Sequence, residues 1–328
     1  LLHRYLEWKG FEVRFVKNFT DVDDKTIRDA LAEGLTIGEF TPQFADAILD
    51  DGAVLGIRPA DSYPRATQYI DPMIRLVQRL EEKGLAYRTE DGSVYFSISK
   101  FPGYGKLSGI DPDAVKPGAR VAVDEYEKDD VRDFALWKGA KEEDERAGAA
   151  WDSPWGRGRP GWHLECSAMG LEERGETLDI HMGGEDLVFP HHEDEIAQSE
   201  GATGKQFVRY WLHVKHLLSE GQKMSKSLGN TYRIPQLIED GFSAAAIRHQ
   251  LVSSQYRNEL NFTLAGLEAS SRAVQRLVDF RDRLRGLATA DDAEATALAE
   301  LSQEGLTAFE AAMDEDLNSS EALGALFT

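Results

Sequence analysis

A single cysteine, Cys166, occurs in 328 residues, so an intramolecular disulfide is excluded and the cytoplasm is the default compartment. No run of about 18 apolar residues exists, and no membrane span is expected. The start, LLHRYLEWKGFEVRF, has neither a long apolar stretch nor a small-residue cleavage site, so it does not read as a signal peptide. It reads as a helix entering a strand, as if the chain began mid-domain, and SSEALGALFT at the other end stops inside an apolar helical pattern. Both ends suggest a fragment. Positive charge is scarce: 37 Lys and Arg face 58 Asp and Glu, for a net charge of −21. That balance argues against a phosphate-binding surface, which needs clustered cations. Basic residues still gather around 205–226 and 272–285, and acidic ones at 124–130, 142–145 and 313–316, so a nucleic-acid partner is weakened but not excluded. Repeats and low-complexity linkers are absent.

What is present is ordinary globular material, 41% hydrophobic, in a chain long enough for two or three domains. Residues 1–9 read as a helix end and FEVRFVK (11–17) as a buried strand. Thr20 and Asp21 are candidate caps for a helix over DDKTIRDALAEG that closes at Gly34. Helical spacing continues over 40–55, and PRATQYIDPMIRLVQRLEEKG forms another helix stopped by Gly84. AYRTEDGSVYFSIS reads as a hairpin around Asp91-Gly92. Residues 99–160 look irregular, an insertion across a core domain. TLDIHMGG is a strand leading to a glycine turn, 191–202 a helix, and 210–218 a strand. From about 262 the pattern is purely helical. The expected fold is α/β, a Rossmann-like parallel-sheet catalytic domain with an inserted connective segment (about 85–160), followed by an α-helical domain. The expected boundaries are 1–222, a loop and junction over 223–261, and the start of a helical domain over 262–328.

Chemistry concentrates in two places. Lys223 and Lys226 stand three apart in a small-residue loop, Lys223-Met224-Ser225-Lys226-Ser227, after a strand. Two such ammonium groups stabilise charge that grows on ATP as pyrophosphate leaves. A bare Lys-x-x-Lys reads most simply as a solvated loop, but the five-residue match followed by Leu-Gly-Asn matches the second signature of class I aminoacyl-tRNA synthetases. Elsewhere, His191 and Glu195 lie four apart on one helix face. With Cys166 they supply imidazole, carboxylate and thiolate, all zinc ligands. From spacing alone, a buried thiol and a surface His–Glu pair remain the simpler account. His192 is left open between an ATP contact and a structural role, while His213 and His216 are expected to pack or to face solvent. Trp137, Trp151 and Trp155 are expected to be scaffold. Asp21, Asp23 and Asp24 lack the glycine and glutamate of a calcium loop and read as a helix start.

RPGWHLECSAM around Cys166, DIHMGGEDLVFPHHEDEIAQ around His191 and Glu195, NFTDVDDK near the start, DFALWK (133–138) and WDSPWGRGRPGW (151–162) together resemble the cysteinyl-tRNA synthetases over residues 1 to about 262. The resemblance implies one catalytic-domain zinc held by two cysteines, a histidine and a glutamate, of which Cys166, His191 and Glu195 match the last three. It implies that cysteine binds the metal through its thiolate, in a pocket formed by the matches Thr20, Trp162 and His181. Lys226 matches the lysine that handles ATP phosphates, with Lys223 beside it, and Gly183, Gly184 and Asp186 lie where a glycine turn approaches the nucleoside.

The implied activity is cysteine–tRNA ligation: cysteine and ATP, with Mg2+, give cysteinyl-adenylate, and the acyl group then moves to tRNA(Cys). A soluble cytoplasmic monomer with no membrane partner is the matching expectation. Zinc prefers thiolate to alcohol, so the metal itself rejects serine. The HIGH-type motif of class I synthetases and the family's first cysteine ligand do not occur in this sequence. With three of four zinc ligands and one of two ATP signatures, the 328-residue polypeptide alone is expected to be inactive in adenylation. Only the beginning of the family's anticodon-reading region is matched. The alternatives are the related cysteine ligase of mycothiol synthesis and a non-catalytic synthetase paralogue.

Overall fold

The computed structural model describes residues 1–111, 132–224, 228–286 and 292–327. The acidic segment at 124–130, and Ser225, Lys226 and Ser227 of the lysine loop, lie outside them. In chain order the helices are α1 (Leu2–Trp8), α2 (Asp24–Ala32), α3 (Ile37–Phe40), α4 (Pro42–Val54), α5 (Ile70–Glu82), α6 (Glu142–Arg146), α7 (Trp162–Arg174), α8 (Glu193–Thr203), α9 (Ile234–Glu239), α10 (Ala244–Val252), α11 (Leu264–Gly286), α12 (Asp292–Asp314) and α13 (Ser319–Ala325). The strands are β1 (Ala86–Arg88), β2 (Val94–Phe96), β3 (Phe134–Gly139), β4 (Gly158–Pro160), β5 (Leu178–Gly184), β6 (Val208–Val214), β7 (Leu217–Ser219), β8 (Gln222–Lys223) and β9 (Leu260–Phe262). The chain forms two compact units: one from 14–48 and 60–213, the other from 1–13, 49–59 and 214–328.

The first unit holds the larger core. In α5, Ile70, Met73, Leu76, Val77 and Leu80 recur at three- and four-residue spacing and are all buried. The helix ends before Gly84, whose φ of +72° suits glycine. The Asp91-Gly92 hairpin forms as the residue types dictate: β1 and β2 pair antiparallel, with the Asp91 carboxylate accepting from the Ser93 N–H and the Thr89 hydroxyl. The segment expected to be an irregular insertion instead adds β3 and β4 to this hairpin, in the antiparallel order β1-β2-β3-β4. All six residues of β3 are buried, so FALWKG lacks the alternation that marks a half-exposed strand.

FEVRFVK is extended but is not the buried strand expected: Phe11 is exposed, and pairing is limited to the parallel bridges Val16–Ser62 and Phe19–Arg65. Its neighbour carries Pro64, which has no N–H to give a ladder. The α2 cap is also not Thr20 or Asp21 but Asp23, whose side chain accepts from the Thr26 N–H. Asp21 instead accepts from the N–H and hydroxyl of Thr67.

Beside α2, Arg159 is buried between Asp144 (2.9 Å) and Asp24, and Lys138 reaches the other oxygen of Asp24 at 3.3 Å. Burial raises the Asp24 pKa, but Arg159 and Lys138 outweigh it and hold the carboxyl below its ordinary value. Asp24→Asn is expected to cost about 1–2 kcal/mol. That is less than the roughly 3–5 of a fully buried pair, because Asp24 is half exposed and Arg159 keeps Asp144. A depressed folded pKa stabilises above the unfolded value of about 3.9 and is lost as pH falls through the folded one. The gap between wild type and Asp24→Asn in urea unfolding is therefore expected to be full at pH 7 and to shrink below about pH 4.

The second unit contains the expected helical run, α11 to α13. Strands β8-β7-β9 form a small sheet in which β7 and β9 are parallel. The strand expected over 210–218 is interrupted at Lys215 and His216, between β6 and β7. Leu55, Leu237, Ala246, Ile247, Phe262 and Leu267 make one apolar cluster, and Tyr5, Ala312, Met313 and Ala322 another. Among the described residues no helix is long and apolar enough to cross a membrane.

Candidate metal and amino-acid site

Helix α7 enters the site through a close approach. Gly161 donates its N–H to the Leu136 carbonyl, and a Cβ on it would lie 2.0 Å from the Ala135 carbonyl oxygen. Glycine there lets α7 dock on β3 and present Trp162, His163 and Cys166. Opposite stands the start of α8, where a π-turn over Val188–His192 delivers His191 and His192. Glu193, Asp194 and Glu195 follow, all fully buried. Three consecutive buried acids are costly unless each is partnered. Glu193 accepts three backbone N–H groups, from Gly105, Leu107 and Ser108 at 2.9–3.1 Å. Asp194 accepts the Tyr104 hydroxyl. Glu195 faces imidazoles: His191 Nε2 at 3.2 Å, His181 Nε2 at 3.3 Å and His192 Nε2 at 3.9 Å.

The ligand atoms of Cys166, His191 and Glu195 lie within 4.8 Å of one another. A second set, His181, His192 and Glu195, meets the same limit and shares the carboxylate. The Cys166 Sγ is also 3.3 Å from Asn18 Nδ2. Trp162 sits over His191, ring centroids 4.4 Å apart, and remains partly exposed. His181 packs edge-on to Trp211 at 5.0 Å. Gly183 lies against the His192 ring, where a Cβ would meet Cε1 at 2.6 Å. The Asp186 carboxylate likewise occupies the space beside Gly184. Thr20 is exposed two residues beyond Asn18. In the other unit, exposed Lys223 pairs with Leu218 across β7 and β8, and its carbonyl accepts from Asn230. The structure thus gathers Cys166, Trp162, His181, Gly183, His191 and Glu195.

Burial pushes the Cys166 thiol pKa well up, with Glu195 and Glu165 adding to the effect and Asn18 opposing it. Burial also works to raise Glu195, but His181 and His191 overcome it and keep the carboxylate ionised. Burial pushes His192 down to about 3, leaving a neutral imidazole. His181 would likewise fall on burial, yet Glu195 brings it above its ordinary value. Glu195 Oε2 is buried without a well-directed hydrogen bond. An imidazole, an ionised carboxylate with a spare oxygen and a thiol at this spacing fit a divalent, borderline-soft ion such as zinc.

Three contributors were not singled out in the sequence: Asn18, His163 and Asp194. His213, expected to pack or face solvent, places Nε2 2.8 Å from His192 Nδ1 and stacks on Trp211. His163 places Nδ1 2.8 Å from His191 Nδ1. The one signal for it was its position one turn before Cys166 on the same helix. Trp137 and Trp155 are buried core residues, as expected of scaffold. Gly183→Ala is expected to cost about 1–3 kcal/mol by overpacking against His192. Adding His192→Ala should restore part of that loss, a coupling measurable by urea unfolding of the double-mutant cycle.

The chain also matches known proteins in sequence and fold. The family model for the class I (C) tRNA synthetase catalytic domain matches residues 1–272. The Mycobacterium tuberculosis methionyl-tRNA synthetase, solved with methionyl-adenylate, superposes with a TM-score of 0.69 at 17% identity, covering 99% of this chain and 75% of that one. The α/β fold is therefore that of class I tRNA synthetases. Among curated proteins, the cysteine–tRNA ligase of Koribacter versatilis is 49% identical over 99% of this chain, and that of Protochlamydia amoebophila 47% over 100%. These matches span 65% and 68% of those two proteins. The chain belongs to the cysteine–tRNA ligase family.

Proposed function

We propose that the protein activates cysteine with ATP and transfers it to tRNA(Cys). The observation that carries this reading is the Cys166–His191–Glu195 donor set, its histidine and glutamate buried and its cysteine partly so, beneath Trp162 in a chain of this family. A zinc ion held by these three residues would act as a Lewis-acid seat that takes the substrate sulfur as thiolate and discriminates against an alcohol. Trp162 supplies an apolar wall for a short side chain, and His181 lies next to Glu195. Thr20 follows the segment that touches Cys166. Gly183, Gly184 and Asp186, at the end of β5, are assigned to the nucleoside. With the substrate fixed, its carboxylate oxygen attacks the α-phosphorus, the α–β bridging bond breaks, and pyrophosphate leaves with Mg2+. Lys226, with Lys223, stabilises the charge that develops on the leaving phosphates. A terminal ribose hydroxyl of the tRNA then attacks the acyl carbon and AMP departs. Alignment and electrostatics carry both steps. A monomer acting in the cytoplasm completes the reading.

The test is amino-acid-dependent ATP–pyrophosphate exchange by the whole gene product. Exchange is expected with cysteine, not with serine, and to be lost on chelation and restored by zinc. Equal exchange with serine, or full activity after verified metal removal, would sink the assignment.

A further inference from the structure

His191 offers two ring nitrogens, and only a bare lone pair can bind a metal. Its Nε2 faces Glu195 at 3.2 Å and is the atom turned toward the donor set. Its Nδ1 faces the Nδ1 of a second histidine, His163, at 2.8 Å. One of those two nitrogens carries the proton and the other accepts it. On the far side of the His163 ring, Nε2 lies 3.5 Å from Oδ2 of Asp194, a fully buried carboxylate. With Nε2 turned toward that carboxylate, Nδ1 is the His163 nitrogen placed to accept from His191. When a metal occupies His191 Nε2, the ring proton sits on Nδ1, and His163 Nδ1 lies 2.8 Å away to accept it. The opposite arrangement would put a proton on His191 Nε2, where it bonds Glu195 and closes the position to a metal.

We propose that His163 is a positioning residue that, backed by Asp194, fixes the tautomer and ring orientation of His191 so that Nε2 is presented as a metal ligand. This rests on the metal reading of Cys166, His191 and Glu195. The supports of His163 are themselves specific. Gln198, from α8, donates to the His163 carbonyl at 3.1 Å, and the His163 ring packs edge-on to Phe134. Asp194 is in turn held by the Tyr104 hydroxyl. Two neighbouring acids on α8 therefore serve one metal position: Glu195 directly and Asp194 through two imidazoles.

The test compares two substitutions. His163→Phe keeps the ring volume and its aromatic contacts but removes the acceptor. His163→Asn places an amide oxygen near the position of Nδ1 and keeps it. Metal-free protein is titrated with Zn2+ against a chromogenic chelator, and with Co2+, whose sulfur-to-metal charge-transfer band reports Cys166 ligation. His163→Phe is expected to bind about 10–100-fold more weakly, and His163→Asn to stay within about threefold of wild type. The metal-free melting temperature of all three should agree, which separates positioning from folding. Wild-type affinity in His163→Phe overturns the proposal while leaving the metal site standing, as does an equal loss in both variants. A wild-type protein without the sulfur–cobalt band overturns both.

Discussion

Cys166→Ala is expected to weaken zinc binding by roughly 100–1,000-fold and, in the 328-residue chain, whose one cysteine it removes, to abolish the sulfur-to-cobalt band. A structural zinc site with its full ligand set is worth about 10–16 kcal/mol. Losing the thiolate forfeits about a quarter of that, near 3–4 kcal/mol, and every 1.4 kcal/mol is tenfold. The substitution is otherwise mild. The thiol is small, its burial makes it a weak acid without a metal, and its one direct polar partner shown is Asn18 Nδ2. Unfolding of the metal-free variant should therefore stay within about 1 kcal/mol of wild type, so that a large fall in metal affinity has no folding explanation. In the whole gene product, cysteine-dependent pyrophosphate exchange should collapse with the metal. Unchanged affinity with a persistent charge-transfer band would remove Cys166 from the ligand set.

The residues at issue in that experiment differ in how far they could be read beforehand. His191 and Glu195 are four apart, and helical geometry alone puts them on one face. Joining Cys166 to them needed the family resemblance, because nothing local links α7 to the start of α8. Asn18 approaches Cys166 across 148 positions of sequence, and His163 approaches His191 across 28. Such contacts are products of tertiary packing and leave no periodicity behind. Conversely, the Asp91-Gly92 hairpin and the α5 helix are local, and turn chemistry and spacing sufficed for both. FEVRFVK failed because strand propensity describes one chain while a ladder needs two, and the neighbour offered Pro64. Strand β3 was missed for the opposite reason: burial on both faces erased its alternation, and buried Lys138 disguised it further.

Gly161→Ala should produce the largest loss of stability of any single methyl addition near this site, about 3–5 kcal/mol. The added carbon would lie 2.0 Å from the Ala135 carbonyl oxygen and 2.8 Å from its carbonyl carbon. Both are main-chain atoms of a buried strand, so no side-chain rotation relieves the overlap, and β3 and α7 must separate. Any separation also breaks the Gly161 N–H bond to Leu136 and carries Trp162, His163 and Cys166 away from α8. The thermal midpoint is expected to fall by roughly 6–20 °C, at about 2–4 °C per kcal/mol for a domain of this size. Zinc affinity should fall with it, because the donor set spans the helix that moves. Gly170→Ala, on the same helix, is the control: its Cβ would meet the Phe207 ring at 3.4 Å, an ordinary contact, while alanine improves helix propensity. It is expected to be near neutral. If Gly161→Ala melts with wild type, then β3 and α7 are not held in the close contact that places Cys166 opposite His191, and the placement of the metal ligands would have to be reconsidered.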